Sequence, residues 1–421
     1  MPVSDSTAMG HRHSGHGHDD HIDAVASPRA LRVLWALVLA SVALALVIVV
    51  ATWPHDRPQA AEQLAVDPVG ARIESVEVTD CSYGAGLKCQ QASGVVTGGA
   101  GAGDDFTLEL AVDAGSVRVA AGDDILVQRS DAGGTVTYLY YDHERGSSLT
   151  VLLVVFAVAV VVLGRIRGLG ALAGLVVSVA LIVGYVVPSL IDGHDAVVVS
   201  LAAATIIATL ALVLAHGKGA TTAVALVSSL AALAVTGALS YVFVRLTHLS
   251  GLSDENVQFL SALQTPIDAR GLLLAGMVIG ALGVLDDVTV TQVSAVAELR
   301  RLQPDESSAR IYTQALRIGR DHISSTVNTL FLAYAGASLS LLLVFAQSGR
   351  SLSSVAVSDV VATEIVRALV GSIGLVSSVP IATGLAALVL RAPEPDAPRA
   401  GRRSRTNAGP EYHDEHGHQS S

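Results

Sequence analysis

Eight stretches of this chain are largely apolar, most of them about 16 to 25 residues long, and they limit its fold more than any other feature. An α-helix rises ~1.5 Å per residue, so runs of that length cross a hydrocarbon core of ~30 Å. They fall at residues 33–53, 149–164, 168–187, 197–215, 220–244, 271–290, 325–346 and 370–390. Only 15% of the 421 residues are charged and 51% are hydrophobic, whereas a soluble domain carries about 25% charged residues. Aromatic residues make up 4%, so the runs are built from Ala, Val, Leu and Gly, whose small side chains let helices approach closely in lipid. The expected fold is a mainly α membrane protein, a bundle of about eight transmembrane helices with the lipid bilayer as its first partner.

Between the first two runs the character changes. Residues 54–147 hold fifteen Asp and Glu against six Lys and Arg, a balance of −9 within a chain total of −11. Short alternating stretches at 72–78, 106–112, 116–120, 124–128 and 135–141 are punctuated by turns such as Gly122-Asp123 and Gly133-Gly134. Period-two alternation with turns at this spacing predicts a small β-barrel or β-sandwich between helices 1 and 2. The expected organisation is a polar tail at 1–30, an anchor at 31–53, the β domain at 54–147, a seven-helix bundle at 148–392 and a second tail at 393–421. With the N-terminus inside, sixteen of the 26 Lys and Arg fall on inside segments, and the short outside loops keep only Arg245, Arg270, Arg350 and Arg367. That bias predicts both termini in the cytoplasm and the β domain outside. The preference for Arg over Lys, with abundant Ala, Val and Gly, suits a bacterial cytoplasmic membrane. Cys81 and Cys89 lie on the outside segment with glycines between them. A disulfide closing a hairpin is expected in an oxidising compartment, the alternative being two free thiols. No further Cys or nearby His completes a zinc site.

The run at 271–285 is only 15 residues, too short to span, so the helix continues through Asp286 and Asp287 or breaks near them. A carboxylate at that depth is expensive and is kept mostly where it faces a cavity or a partner. Asp287, Thr291, Ser294 and Glu298 recur at spacings of four, three and four, which is one helical face. Before them, Gly276 and Gly280 form a Gly-x-x-x-Gly pair with Gly283 near the same face, a pattern that lets a neighbouring backbone approach. The next span opens Gly319-Arg320-Asp321-His322, and Asp321, Ser325 and Asn328 share a face that Tyr334 extends inward. Facing one another, the two polar seams would satisfy each other as interhelical glue with Arg320 and the carboxylates snorkelling, or would line a path for an ion or small polar solute. Pro380, inside the last span, is a packing kink or a hinge.

The first tail carries His11, His13, His16, His18 and His21, a tract with weak affinity for transition metals or merely a solvated tail. No basic, aromatic-rich patch points to nucleic acid. Metalloprotease, P-loop and nucleophile-elbow motifs are absent from the sequence, so neither an enzyme nor a resident cofactor is expected.

The text Gly280-Ala281-Leu282-Gly283-Val284-Leu285-Asp286-Asp287-Val288, continuing from Gln292 to Glu298, together with the segment from Ile318 to Gly336, resembles the YibE/F family of bacterial multi-spanning membrane proteins. The order of anchor, β segment and bundle is similar too, over roughly residues 60–390. The resemblance implies a permease-like membrane protein and points at the two seams without naming a substrate. Asp287 stands where the family pattern leads one to expect an apolar residue, which leaves open which carboxylate is the active one. The leading expectation is a secondary transporter or permease for a small ion or polar solute. The alternative is a non-transporting envelope scaffold or signalling protein whose outer β domain binds a protein partner.

Overall fold

The computed structural model describes residues 25–55, 67–83, 86–113, 115–132, 135–253, 255–262 and 268–392. The His-rich tract of the first tail lies outside the described residues. Strand β1 (Val25–Ala26) leads into helix α1 (Pro28–Ala51). Pro28 sits in the first turn of α1, and Ser27 Oγ accepts the Ala30 amide, the two devices that start a helix most readily.

Strands β2 (Val69–Asp80), β3 (Lys88–Val96), β4 (Asp105–Ala111), β5 (Asp124–Ala132) and β6 (Thr135–His143) follow. They form one antiparallel sheet in the order β4-β3-β2-β5-β6, and its two edge strands approach each other. The result is a barrel-like sheet rather than a sandwich of two sheets. Its inner face alternates along the strands: Ala71 and Ile73 on β2, Ala92 and Val96 on β3, Ile125 and Val127 on β5. The register of β2 against β3 shifts between Ile73 and Ser75. There a Cβ on Gly94 would stand 2.0 Å from the Arg72 carbonyl oxygen, so only glycine fits. The stretch 116–120, expected as a strand, is irregular, because the Gln90 side-chain amide brackets Val119 from both sides and replaces a ladder partner. Strand β3 is not foreshadowed, since Gln90-Gln91 and Ser93-Gly94 break its apolar alternation. Cys81 and Cys89 are joined, with Sγ–Sγ 2.01 Å and Cα–Cα 5.0 Å.

Helix α2 (Gly146–Leu181) runs into a π-turn at Ile182–Val186 and then α3 (Val187–Ile191). The remaining helices are α4 (Ala196–His216), α5 (Ala220–Leu246), α6 (Glu255–Ala262), α7 (Ala269–Leu302), α8 (Ser308–Ala337), α9 (Leu339–Gln347), α10 (Leu352–Ala356) and α11 (Asp359–Val389), closed by strand β7 (Leu390–Arg391). Among the described residues six helices are long and apolar enough to cross a membrane, or seven if the α8–α9 pair, bent by 61°, is one span. Within α2 the backbone breaks at Arg165, at φ +49°, a region that L side chains rarely adopt. The break falls between the two apolar runs at 149–164 and 168–187.

The first and last described strands meet. Val25 pairs with Arg391 and Ala26 with Leu390, so α1 starts and α11 finishes at one end of the bundle, the tail end. At the other end, the sheet end, Asp359 at the start of α11 accepts from Ser250 Oγ (2.6 Å), and Arg270 Nε donates to the Leu249 carbonyl (3.0 Å). Helix α7 is central, packed by α4, α5, α8 and α11. One cluster joins Tyr185, Val199, Ala203, Leu233, Val278 and Leu285; a second, toward the tail end, joins Leu34, Val224, Val293, Ile311, Ala315 and Ala386. These side chains are mostly small, so helix backbones lie close and contact is made by packing, as suits a bundle in an apolar medium.

Candidate site in the bundle interior

Helix α7 runs unbroken through the acidic pair, which settles how the short apolar run is completed. The two carboxylates part company there. Asp286 is partly buried, with its Oδ1 fully enclosed, and Asp287 is exposed. Heights within the bundle follow from contacts. Ser294 lines a small recess with His216 and Thr221, beside the α4–α5 turn at the tail end. Asp286 lies eight residues further in, about 12 Å at ~1.5 Å per residue. Arg270, at the sheet end, is sixteen residues away in the other direction, about 24 Å.

Asp286 faces α5. Ser229 Oγ lies beside its carboxyl and shares a buried hydrogen bond of 2.6 Å with Thr289 Oγ1. Thr289 Oγ1 in turn donates to the Asp286 carbonyl at 3.0 Å. Asp286 Oδ1 is buried with no hydrogen-bond partner among the described residues. Each hydroxyl has a single proton, so the pair can point toward the carboxylate or away from it. The arrangement is therefore a partly buried carboxyl with one reorienting donor beside it, the Ser229 hydroxyl, and one uncommitted oxygen, in a position to hold a proton or to give an oxygen to a small cation. On α8, His322 Nε2 is likewise buried with no hydrogen-bond partner among the described residues.

The polar seams read from the sequence are genuine helical faces, but both turn away from the interior. Asp287, Thr291, Ser294 and Glu298 are all exposed along α7, and Glu298 is held by Arg301 at 2.9 Å. Arg320, Asp321, Ser325 and Asn328 are exposed along α8. What lies between the two helices instead is Gln292, whose Nε2 donates to the Ala315 carbonyl at 2.8 Å, against Gly319. Seams that face one another are thus not what the chain forms: small and apolar residues occupy the α7–α8 contact, and the polar residues take the opposite faces. Tyr334 is half-buried, its hydroxyl near Gly280, and it lines a largely apolar cavity of about 130 Å³ with Phe331, Leu341, Glu364 and Ile365. Glu364 is paired with Arg367 at 2.7 Å.

The glycines also differ from expectation. A Cβ on Gly276 or Gly283 would meet nothing within 4 Å, and one on Gly280 would meet only the Tyr334 hydroxyl at 3.9 Å. They share the exposed face of α7 with Asp287. The close approaches are elsewhere: Gly170 against the Leu214 backbone, Gly319 against Val379 and Gln292, and Gly374 against Thr236.

Sequence reasoning passed over the α5 side of the site. Thr222, Ser229 and Thr236 are spaced by seven, which puts them on one face, and all three are buried. That spacing was the available signal. Arg300 was also passed over. It is buried, and it donates to the Glu306 carbonyl (2.6 Å), Ser308 Oγ (2.6 Å) and the Ala387 carbonyl (2.7 Å). It thereby ties the end of α7, the start of α8 and the last turn of α11, whose terminal carbonyls lack helical partners.

Comparison with known proteins gives one match. The family model for YibE/F-like proteins covers residues 152–392, more than half of the chain. It begins inside α2, so α1 and the sheet β2–β6 lie outside it, a narrower extent than residues 60–390. No similar curated protein and no similar solved structure was found.

Proposed function

The chain belongs to the YibE/F-like family, and from that premise we propose that it is a bacterial cytoplasmic-membrane permease that couples transport to a proton or small cation at Asp286. Counting α2 as two spans at its Arg165 break and α8–α9 as one gives eight crossings, both termini on one side, and the outer sheet on the other. The basic bias of the inside segments puts the termini in the cytoplasm. In that placement Asp286 lies inside the hydrocarbon layer, well away from either face.

One observation carries this reading: a carboxyl oxygen is buried about 12 Å inside the bundle with no donor to it among the described residues. An uncompensated charge at such depth is costly and is kept where it works on a proton or an ion. Ser229, bonded to Thr289, supplies a donor that can swing to the carboxylate when its proton leaves and back when it returns. Asp287 is assigned no such role, because its side chain points out of the bundle.

The second reading, an envelope scaffold that acts through its outer sheet, is favoured only by the presence of that acidic sheet. Reconstituted protein separates the two. The full chain, and a chain lacking residues 60–145, are tested in proteoliposomes for flux of a panel of ions, with and without a pH gradient. A permease keeps flux without the sheet. Flux absent from both, with the bundle folded, overturns the assignment.

A further inference from the structure

The outward faces of α7 and α8 are unusual for surfaces that meet lipid. On α7, Gly276, Gly280, Gly283, Asp287, Thr291 and Ser294 fall on one face, and all are exposed. On α8, Arg317, Asp321, Ser324 and Asn328 recur at spacings of four, three and four, with Arg320 and Ser325 flanking, and all are exposed. Among the described residues no ion pair involves Asp287, Arg317, Arg320 or Asp321. The contact of Gln292 with Ala315 fixes the relative height of the two helices. Gly319 also lies against Gln292, and counting outward from these contacts puts Asp287 and Arg320 at heights about 3 Å apart. Both then lie near the level of Asp286, within the layer that lipid would occupy.

Lipid tails offer such a face nothing: no hydrogen bonds, no countercharge, and no side chain to fill a glycine groove. Apart from His216 and Thr221 beside Ser294 and the Tyr334 hydroxyl near Gly280, no other described element of this chain brings a polar group to it. The uncovered first half of α2 is apolar on every side. The face itself, however, carries both signs. Turned about a two-fold axis along the membrane normal, α8 of one copy meets the glycine groove of α7 of the next, at unchanged height. Arg320 then stands opposite Asp287 of the other copy, and Asn328 falls at the level of Gly280.

We propose that the exposed glycine-and-carboxylate face of α7 and the polar stripe of α8 form an isologous interface between two copies of this chain, closed by reciprocal Asp287–Arg320 pairs. The proposal concerns assembly and stands whether or not Asp286 carries transport.

Two differently tagged full-length copies are co-expressed and purified through one tag. Wild-type copies co-purify. Asp287→Arg or Arg320→Asp placed in both copies sets like charges opposite each other and lowers co-purification by at least fivefold. A copy with Asp287→Arg and a copy with Arg320→Asp pair with each other at close to the wild-type yield, because each contact again joins opposite signs. That recovery also shows that both variants fold. Position is read separately: Gly280→Cys in one copy and Asn328→Cys in the other form an intermolecular disulfide on oxidation. Wild-type copies that do not associate overturn the proposal. So do single swaps without effect, a mixed pair that does not recover, or trapping of residue 328 only to a different protein.

Discussion

At the scale of single residues the sequence carries position along a helix and loses direction around the bundle. Asp287, Thr291, Ser294 and Glu298 share a face, as their spacing requires, and so do Asp321, Ser325 and Asn328. Which way each face turns is decided by the neighbours. The small residues Ala315 and Gly319 on α8, with Gln292 on α7, make the closer contact and rotate the polar stripes outward. Asp286, one residue and about 100° from Asp287 on the helix, consequently becomes the buried carboxyl. The same close packing makes Gly374 intolerant. A Cβ there would stand 2.1 Å from Thr236 Oγ1, so Gly374→Val is expected to cost about 1–3 kcal/mol or more and to lower the melting temperature of the detergent-solubilised protein. Thr236→Ala in the same chain recovers part of that loss; no recovery would place the clash elsewhere. Arg300→Met strands the buried Ala387 carbonyl and the partly buried Glu306 carbonyl at the junction of α7, α8 and α11 and is expected to destabilise by about 1–3 kcal/mol, read as a lower melting temperature while flux per folded molecule is unchanged.

At the scale of elements, most apolar runs of span length became long helices, because such a run has few other uses, but the runs at 149–164 and 168–187 share one helix, and six or seven candidate spans stand where eight were expected. Their ends were less legible. Helix α7 extends to Leu302 and α11 begins at Asp359, since polar turns continue a helix whose core is fixed by packing. In the five-stranded sheet, β3 was hidden by its polar residues and fixed by pairing with β2 and β4. That sheet carries the clearest pH dependence outside the bundle. The Ser82 hydroxyl first, and its amide second, hold the Glu109 carboxyl below the ordinary carboxylate range. The Arg145 side chain does the same for Asp142, and Arg72 for Asp124. Each folded value lies below the unfolded one, so these contacts contribute fully above the unfolded carboxyl value of about 4 and are lost as pH falls through the folded values. Backbone hydrogen exchange of β2 to β6, corrected for the intrinsic rate, is expected to be constant from about pH 5 to 8 and to quicken below about pH 4. Glu109→Gln narrows the change; an unchanged acid response would remove Glu109 from the account. Alkylation of intact protein is expected to leave Cys81 and Cys89 unmodified until a reductant is added.

At the scale of the whole molecule, the pairing of β1 with β7 joins the start of α1 to the end of α11 at one end, and the Ser250–Asp359 and Arg270–Leu249 contacts pin the other. Between them α7 is surrounded by four helices, and the one carboxyl it turns inward is Asp286. Family membership agrees with such a bundle over residues 152–392, and the five-stranded sheet lies beyond that shared part. Transport that depends on Asp286, and on no carboxylate of the outward seam, is the centre of the account. The direct measurement is ion-coupled flux into proteoliposomes by wild type, Asp286→Asn and Glu298→Gln at matched protein density. The expected result is a loss of at least tenfold for Asp286→Asn, with Glu298→Gln within about twofold of wild type, a step of about 1.4 kcal/mol or more in the rate-limiting barrier. Flux that survives Asp286→Asn undiminished, or that falls equally in both variants, would contradict it.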